Sequence, residues 1–187
     1  MSVLRGMFRL ATFRTEGFAE FSDTRQAFLN SLAPLLAFPI VGTALMVLTG
    51  TGGGAFGDLL GTIVALLTPA VVSHALAVRW GREAAWLRYA IAFNWCQWAV
   101  PLAAMALVVV AGVLVNIGLP IRTITMLLLV GLLSYGLGLY WFLARHGLGL
   151  SSGRAVLLVV LVNLATGLLA FGPRLLGGQG LPAPGLD

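Results

Sequence analysis

The sequence predicts an all-α fold, a polytopic membrane bundle of five transmembrane helices. Three observations carry that prediction. Of the 187 residues, 59% are hydrophobic and only 9% are charged, against roughly 45–50% and about 25% in soluble domains. So little charge cannot cover a water-facing surface, which excludes a cytosolic enzyme domain, a disordered tail and a free nucleic-acid-binding module. Five separate apolar stretches approach the roughly 20 residues that a helix needs to cross a bilayer. Arginines also alternate in density between the connections.

The spans are expected at Leu29–Leu48, Asp58–Val78, Tyr89–Val115, Thr123–Leu143 and Ala155–Phe171, the last with a possible extension past Pro173 to Leu176. They are separated at Thr49–Gly57, Arg79–Arg88, Asn116–Arg122 and Ala144–Arg154. Each is apolar throughout, without the two-residue alternation of a membrane barrel strand. Residues 1–28 form a cytoplasmic, partly amphipathic lead-in. Arg5, Arg9 and Arg14 interrupt any signal-peptide core there, and Phe18, Phe21, Phe28 and Leu32 would share one helical face lying on the inner leaflet. Ser22-Asp23-Thr24 offers an N-cap for the first span. Residues 29–176 make the transmembrane domain, and 177–187, rich in Gly and Pro, a flexible tail.

All eleven basic residues are arginine. They are scattered between apolar blocks, so the pI near 10.7 reads as topology signal and not as a nucleic-acid footprint. Nine arginines precede the first span or lie in the second-to-third and fourth-to-fifth connections. Arg122 and Arg174 alone fall on the other side. By the positive-inside rule the N-terminus is cytoplasmic and the C-terminus outside.

Polar side chains within spans are costly in hydrocarbon and need a partner or a purpose. His74 lies about 7 Å inward from Arg79, Asn94 about 9 Å and Gln97 about 13 Å inward from Arg88, counting along the helix. Tyr140 is five residues from Arg145, and Asn163 is nine past Arg154. These five read as interhelical hydrogen-bonding groups, worth about 0.6–2 kcal/mol per contact. Alternatively they line a polar cavity facing the cytoplasm. Arg79, Arg82 and Arg88, with Trp80 and Trp86 between them, are candidate lipid-headgroup contacts. Asp58 suits the outer start of the second helix, where an acid complements the helix dipole.

Two motif matches lack their structural context. Gly52, Gly54 and Gly57 satisfy GxGxxG, which needs a strand before it. Gly149–Gly153 satisfies GxSxG, which needs a strand-to-helix elbow; here it is a turn, with Ser151 or Ser152 capping the fifth helix. The single cysteine, Cys96, permits no intramolecular disulfide and no cysteine-based metal site. Five tryptophans cluster at the inner ends of the spans as depth anchors. Pro34, Pro39, Pro69 and Pro101 are expected to kink the first three helices. Gly131, Ser134 and Gly138 would let another helix approach closely.

The run Arg82-Glu83 through Trp86-Leu87-Arg88-Tyr89-Ala90-Ile91-Ala92-Phe93-Asn94-Trp95 resembles the "GRE…YVRFIVAYNW" segment of small bacterial membrane proteins. Tyr140–Arg145 followed by Gly147–Ser152, and the lead-in Phe18–Phe28, are similar to further blocks of these proteins. They are similar to the YIP (YIPF-type, Rab-interacting) superfamily, and the resemblance implies five spans with a cytoplasmic N-terminus. Eukaryotic relatives meet Rab GTPases through a longer cytoplasmic N-terminal region, which the 28 residues here do not match. The family brings no catalytic residues.

The expectation is therefore a non-enzymatic protein of a bacterial cytoplasmic (inner) membrane that organises or adapts other membrane components. Its surroundings would be the lipid bilayer, and its partner another membrane protein or a second copy of itself. No cofactor, metal or nucleic acid is expected. The competing expectation is a small transporter or channel built on the cytoplasm-facing polar cavity.

Overall fold

The computed structural model describes residues 2–50 and 54–176, without side chains at 171 and 173–176. Helix α1 (Val3–Ala11) and a 3-10 turn (Thr15–Glu20) lead into α2 (Arg25–Leu48), α3 (Ala55–Arg79), α4 (Glu83–Cys96), α5 (Ala99–Asn116), α6 (Ile121–Gly147) and α7 (Ser152–Leu176). Counting α4–α5 together, five helices among the described residues are long and apolar enough to cross a membrane. The expected flexible tail and Gly52 lie outside the described residues.

Helix ends follow local chemistry. Thr24 caps α2, its hydroxyl accepting from the Ala27 N–H. Helix α3 ends at Gly81, whose φ of +67° lets the Arg82 N–H return to the Ala77 carbonyl at 2.7 Å. Helix α6 ends the same way at Gly149, with φ +61° and the Leu150 N–H on the Arg145 carbonyl at 2.9 Å. A left-handed residue just past a helix is where glycine costs least. The GxSxG match therefore begins with a helix-terminating glycine, and the Ser151 carbonyl accepts the Ala155 N–H as α7 starts.

The third span, Glu83–Asn116, is one 34-residue span whose helical hydrogen-bond ladder breaks at Gln97-Trp98, although both residues keep helical φ and ψ. The break lies four residues ahead of Pro101, which has no N–H to give the Gln97 carbonyl. Helices α2 and α3, by contrast, run continuously through Pro34, Pro39 and Pro69.

Burial is concentrated at the end of the bundle that gathers the arginine-bearing connections. Helix α4 forms the centre there: Tyr89 to Asn94 and Cys96 are all buried, and α1, α2, α3 and α6 pack around it. On α6 and α7 the burial falls at Leu139, Phe142–Ala144, Ala155, Leu158, Val159 and Val162. Toward the other end, α3 packs along α7 and α5 pairs with α6. Ala111 and Ile124 mark the α5–α6 seam.

The N-terminal segment departs from the sequence expectation. It does not present one aromatic face to a leaflet. Phe21 is buried and Phe18 packs against the core cluster, close to Gly147 and Tyr89. Phe13 ends α1 with φ +59° and sets its ring edge-on to Tyr135 at 6.0 Å and Phe142 at 5.4 Å. The Tyr135 hydroxyl donates to the Ala11 carbonyl at 3.0 Å. Glycines decide this path: a Cβ on Gly17 would stand 2.7 Å from Leu10 Cγ and 2.8 Å from the Gly6 carbonyl oxygen. Gly138 is likewise covered by the Phe13 ring, not by another helix, and a Cβ on Gly131 would face open space.

Candidate functional site

A cavity of about 680 Å³ lies between α3, α7, the α4–α5 break and α6. Its α3 wall runs from Gly57 to Pro69, about 18 Å at the helical rise. Phe93, Gln97, Tyr140 and Asn163 form its base, and Asp58 and Thr62 stand toward the end remote from the arginine-rich connections. Neither α5 beyond the break nor α6 before Tyr140 lines it, because those helices pack on each other and not along α3. The volume falls within the range of small-molecule sites.

The break in the third span supplies the base. Gln97 lies at that junction with its side chain on the lining, and its amide nitrogen is buried without a hydrogen-bond partner. Thr166 Oγ1 on α7 is in the same state. The Tyr140 hydroxyl also has no partner among the described residues, and its ring lies 5.0 Å from that of Phe93. Asn163 spends its amide nitrogen on the Val159 carbonyl at 2.8 Å, leaving its oxygen as an acceptor. Thr62 bonds back to the Asp58 carbonyl at 2.8 Å.

Three of the five expected polar residues, Gln97, Tyr140 and Asn163, thus meet in one site. His74 and Asn94 do not. The imidazole of His74 sits edge-on to Trp86 at 4.6 Å, with Nε2 4.0 Å from Glu83 Oε1. Asn94 Nδ2 donates to Ser31 Oγ at 2.9 Å, and that hydroxyl donates to the Phe28 carbonyl at 2.7 Å. Of the two expected readings, Asn94 follows the interhelical one, joining α4 to α2; the cavity alternative does not extend to His74 or Asn94, neither of which lines it. At the end beside the basic connections α1, the 3-10 turn and α2 close over α4 and use its polar group for packing, while the space opens toward the opposite end.

Sequence reasoning also missed Ser31, Ser73 and Thr166. Ser73 accepts the Trp86 indole N–H at 3.0 Å, tying α3 to α4. Thr62, Thr68 and Thr125 bond back to their own helices; Thr166 does not, and an i−4 carbonyl is available to any helical threonine, so no spacing marks the exception. Of the candidate headgroup contacts, Arg88 is paired with Asp23 at 3.0 Å, Arg82 passes over the Gly149 turn, and Arg79 is exposed. No protein-family model, no curated protein and no solved structure matches this chain.

Proposed function

We propose that the protein resides in a bacterial cytoplasmic membrane with its N-terminus inside, has no enzymatic activity, and organises or adapts other membrane components as a YIP-like five-span protein. The observation that carries this reading is the contrast between the two ends of the bundle. At one end, α4 is enclosed, with Trp86 and Asn94 bonded to Ser73 and Ser31. At the other, the α5–α6 hairpin exposes one apolar face, with Val109 71% and Leu127 67% accessible, as does the far part of α2. Such a hairpin offers a helix-sized apolar surface to a neighbouring membrane protein or a second copy, where close packing supplies the attraction. The arginine distribution supports the orientation.

Photo-crosslinking in living cells tests it. A benzophenone amino acid at Met105, Val109 or Leu133 is expected to give discrete protein adducts. Absence of protein adducts at all three hairpin positions refutes the reading. Reporter fusions in the 49–54 connection and after Gly118 should place both outside.

The cavity favours a second reading, a small transporter or channel. Its polar base supports it, although its open end is the one remote from the basic connections. Cysteines introduced at 97 and 163 should react with a small polar thiol reagent if water fills the cavity; inertness at both eliminates this alternative.

A further inference from the structure

We infer that the cavity between α3, α7 and the α4–α5 break is a binding site for an uncharged, membrane-dissolved lipid whose carbonyl or ester oxygens accept from Gln97 and Tyr140. Three features select that class. The walls are apolar, formed by Leu66, Pro69, Val162 and Leu169. Gln97 lines the cavity, and its Nε2 is an unpartnered donor buried behind that lining, which a half-turn of the side-chain amide brings to the cavity. The Tyr140 hydroxyl, also on the lining, has no partner among the described residues. A donor shut away from water costs the free energy of its lost hydration unless an acceptor reaches it, so the site calls for an oxygen at its base. Among the described residues no cationic side chain lines the cavity, so nothing there would hold an anionic headgroup.

Access comes from the bilayer itself. The lining contains no residue of α5 and none of α6 before Tyr140, so the side facing that hairpin is open to lipid chains. A ligand entering there slides its apolar body along α3 and α7 and brings its oxygens to Gln97 and Tyr140. The Phe93–Tyr140 ring pair provides a flat apolar contact for the group bearing them. Two sources share this chemistry, a glycerol diester and an isoprenoid quinone. The site is independent of any partner on the hairpin.

The test is photoaffinity labelling of the full chain in phosphatidylcholine nanodiscs, followed by peptide mapping. The probes are a photoactivatable diacylglycerol and a photoactivatable short-chain benzoquinone, with a photoactivatable phosphatidylglycerol for comparison. One neutral probe is expected to label 57–69 and 162–170, and which of the two does so identifies the source. Gln97→Leu removes the donor, and saturation should then need about three- to tenfold more probe, the range of one hydrogen bond. Gly61→Phe keeps the proposal testable without disturbing the core, because a Cβ there meets nothing within 4 Å and glycine is the poorer helix former. This variant should abolish labelling while leaving the thermal midpoint unchanged or higher. Labelling by phosphatidylglycerol equal to that by the neutral probes, labelling elsewhere, or labelling indifferent to Gly61→Phe overturns the inference.

Discussion

Asn94 and Ser31, 63 residues apart in the chain, are joined by a 2.9 Å hydrogen bond at the centre of the packed end of the bundle. Both are buried, at 3% and 0% exposure. The bond ties α4 to α2 and supplies the Asn94 amide nitrogen with an acceptor where water cannot serve. Three residues along, Gln97 has no such partner, and the two amides have opposite consequences.

Ser31→Ala strands the buried Asn94 nitrogen and should cost about 1–3 kcal/mol. Asn94→Ala should cost a similar amount, and the double variant less than the sum of the two. Gln97→Ala, which breaks no bond, should leave stability close to wild type. Thermal unfolding in one detergent, compared across the four variants, checks this. A Gln97→Ala loss equal to that of Asn94→Ala would contradict the assignment.

Gly17 should resist any side chain. Its added Cβ would meet Leu10 Cγ at 2.7 Å and the Gly6 carbonyl oxygen at 2.8 Å, and backbone cannot step aside cheaply. Gly17→Ala should cost about 1–3 kcal/mol, as overpacking does. Limited proteolysis should then cut between residues 12 and 24. Gly138→Ala, whose Cβ would find Phe13 at an ordinary 3.8 Å, should remain resistant.

Tyr135→Phe removes the hydroxyl that donates to the Ala11 carbonyl and keeps the ring that packs on Phe13. The expected loss is about 1 kcal/mol. Amide exchange should locate it in α1, with α6 protected as before. Equal exchange rates in both proteins would show that the bond does not hold the segment in place.

The Arg88–Asp23 pair has side-chain exposures of 48% and 60%. Pairs so open to water contribute roughly 0–1 kcal/mol and are screened by salt. Arg88→Ala should therefore shift the unfolding midpoint by little at low ionic strength and by less at high. A large, salt-independent loss would indicate a role beyond the ion pair.

Hydropathy and length were enough for the all-α class and for five spans, because a bilayer demands an apolar run of fixed length whatever the fold. Thr24 as a cap and Asp58 in the first turn of α3 were legible for a similar reason, since helix ends impose their chemistry within a few residues. Pro101 marked a disruption of the third span. Its consequence, a break with Gln97 on the lining of a cavity, depended on α4 being enclosed while α5 was not.

Tertiary structure alone decided which polar groups meet. Spans that are apolar on nearly every side carry no periodic signal of facing, so Asn94 and Gln97 look alike in the chain. One was matched to Ser31 by the packing of α2, and the other was left at the base of the cavity. The N-terminal phenylalanines followed the same logic. Lipid and protein interior are nearly equivalent to an apolar ring, and hydrophobicity could not choose between them. Close approach at Gly17 and Gly147, with one hydrogen bond from Tyr135, turned the segment inward.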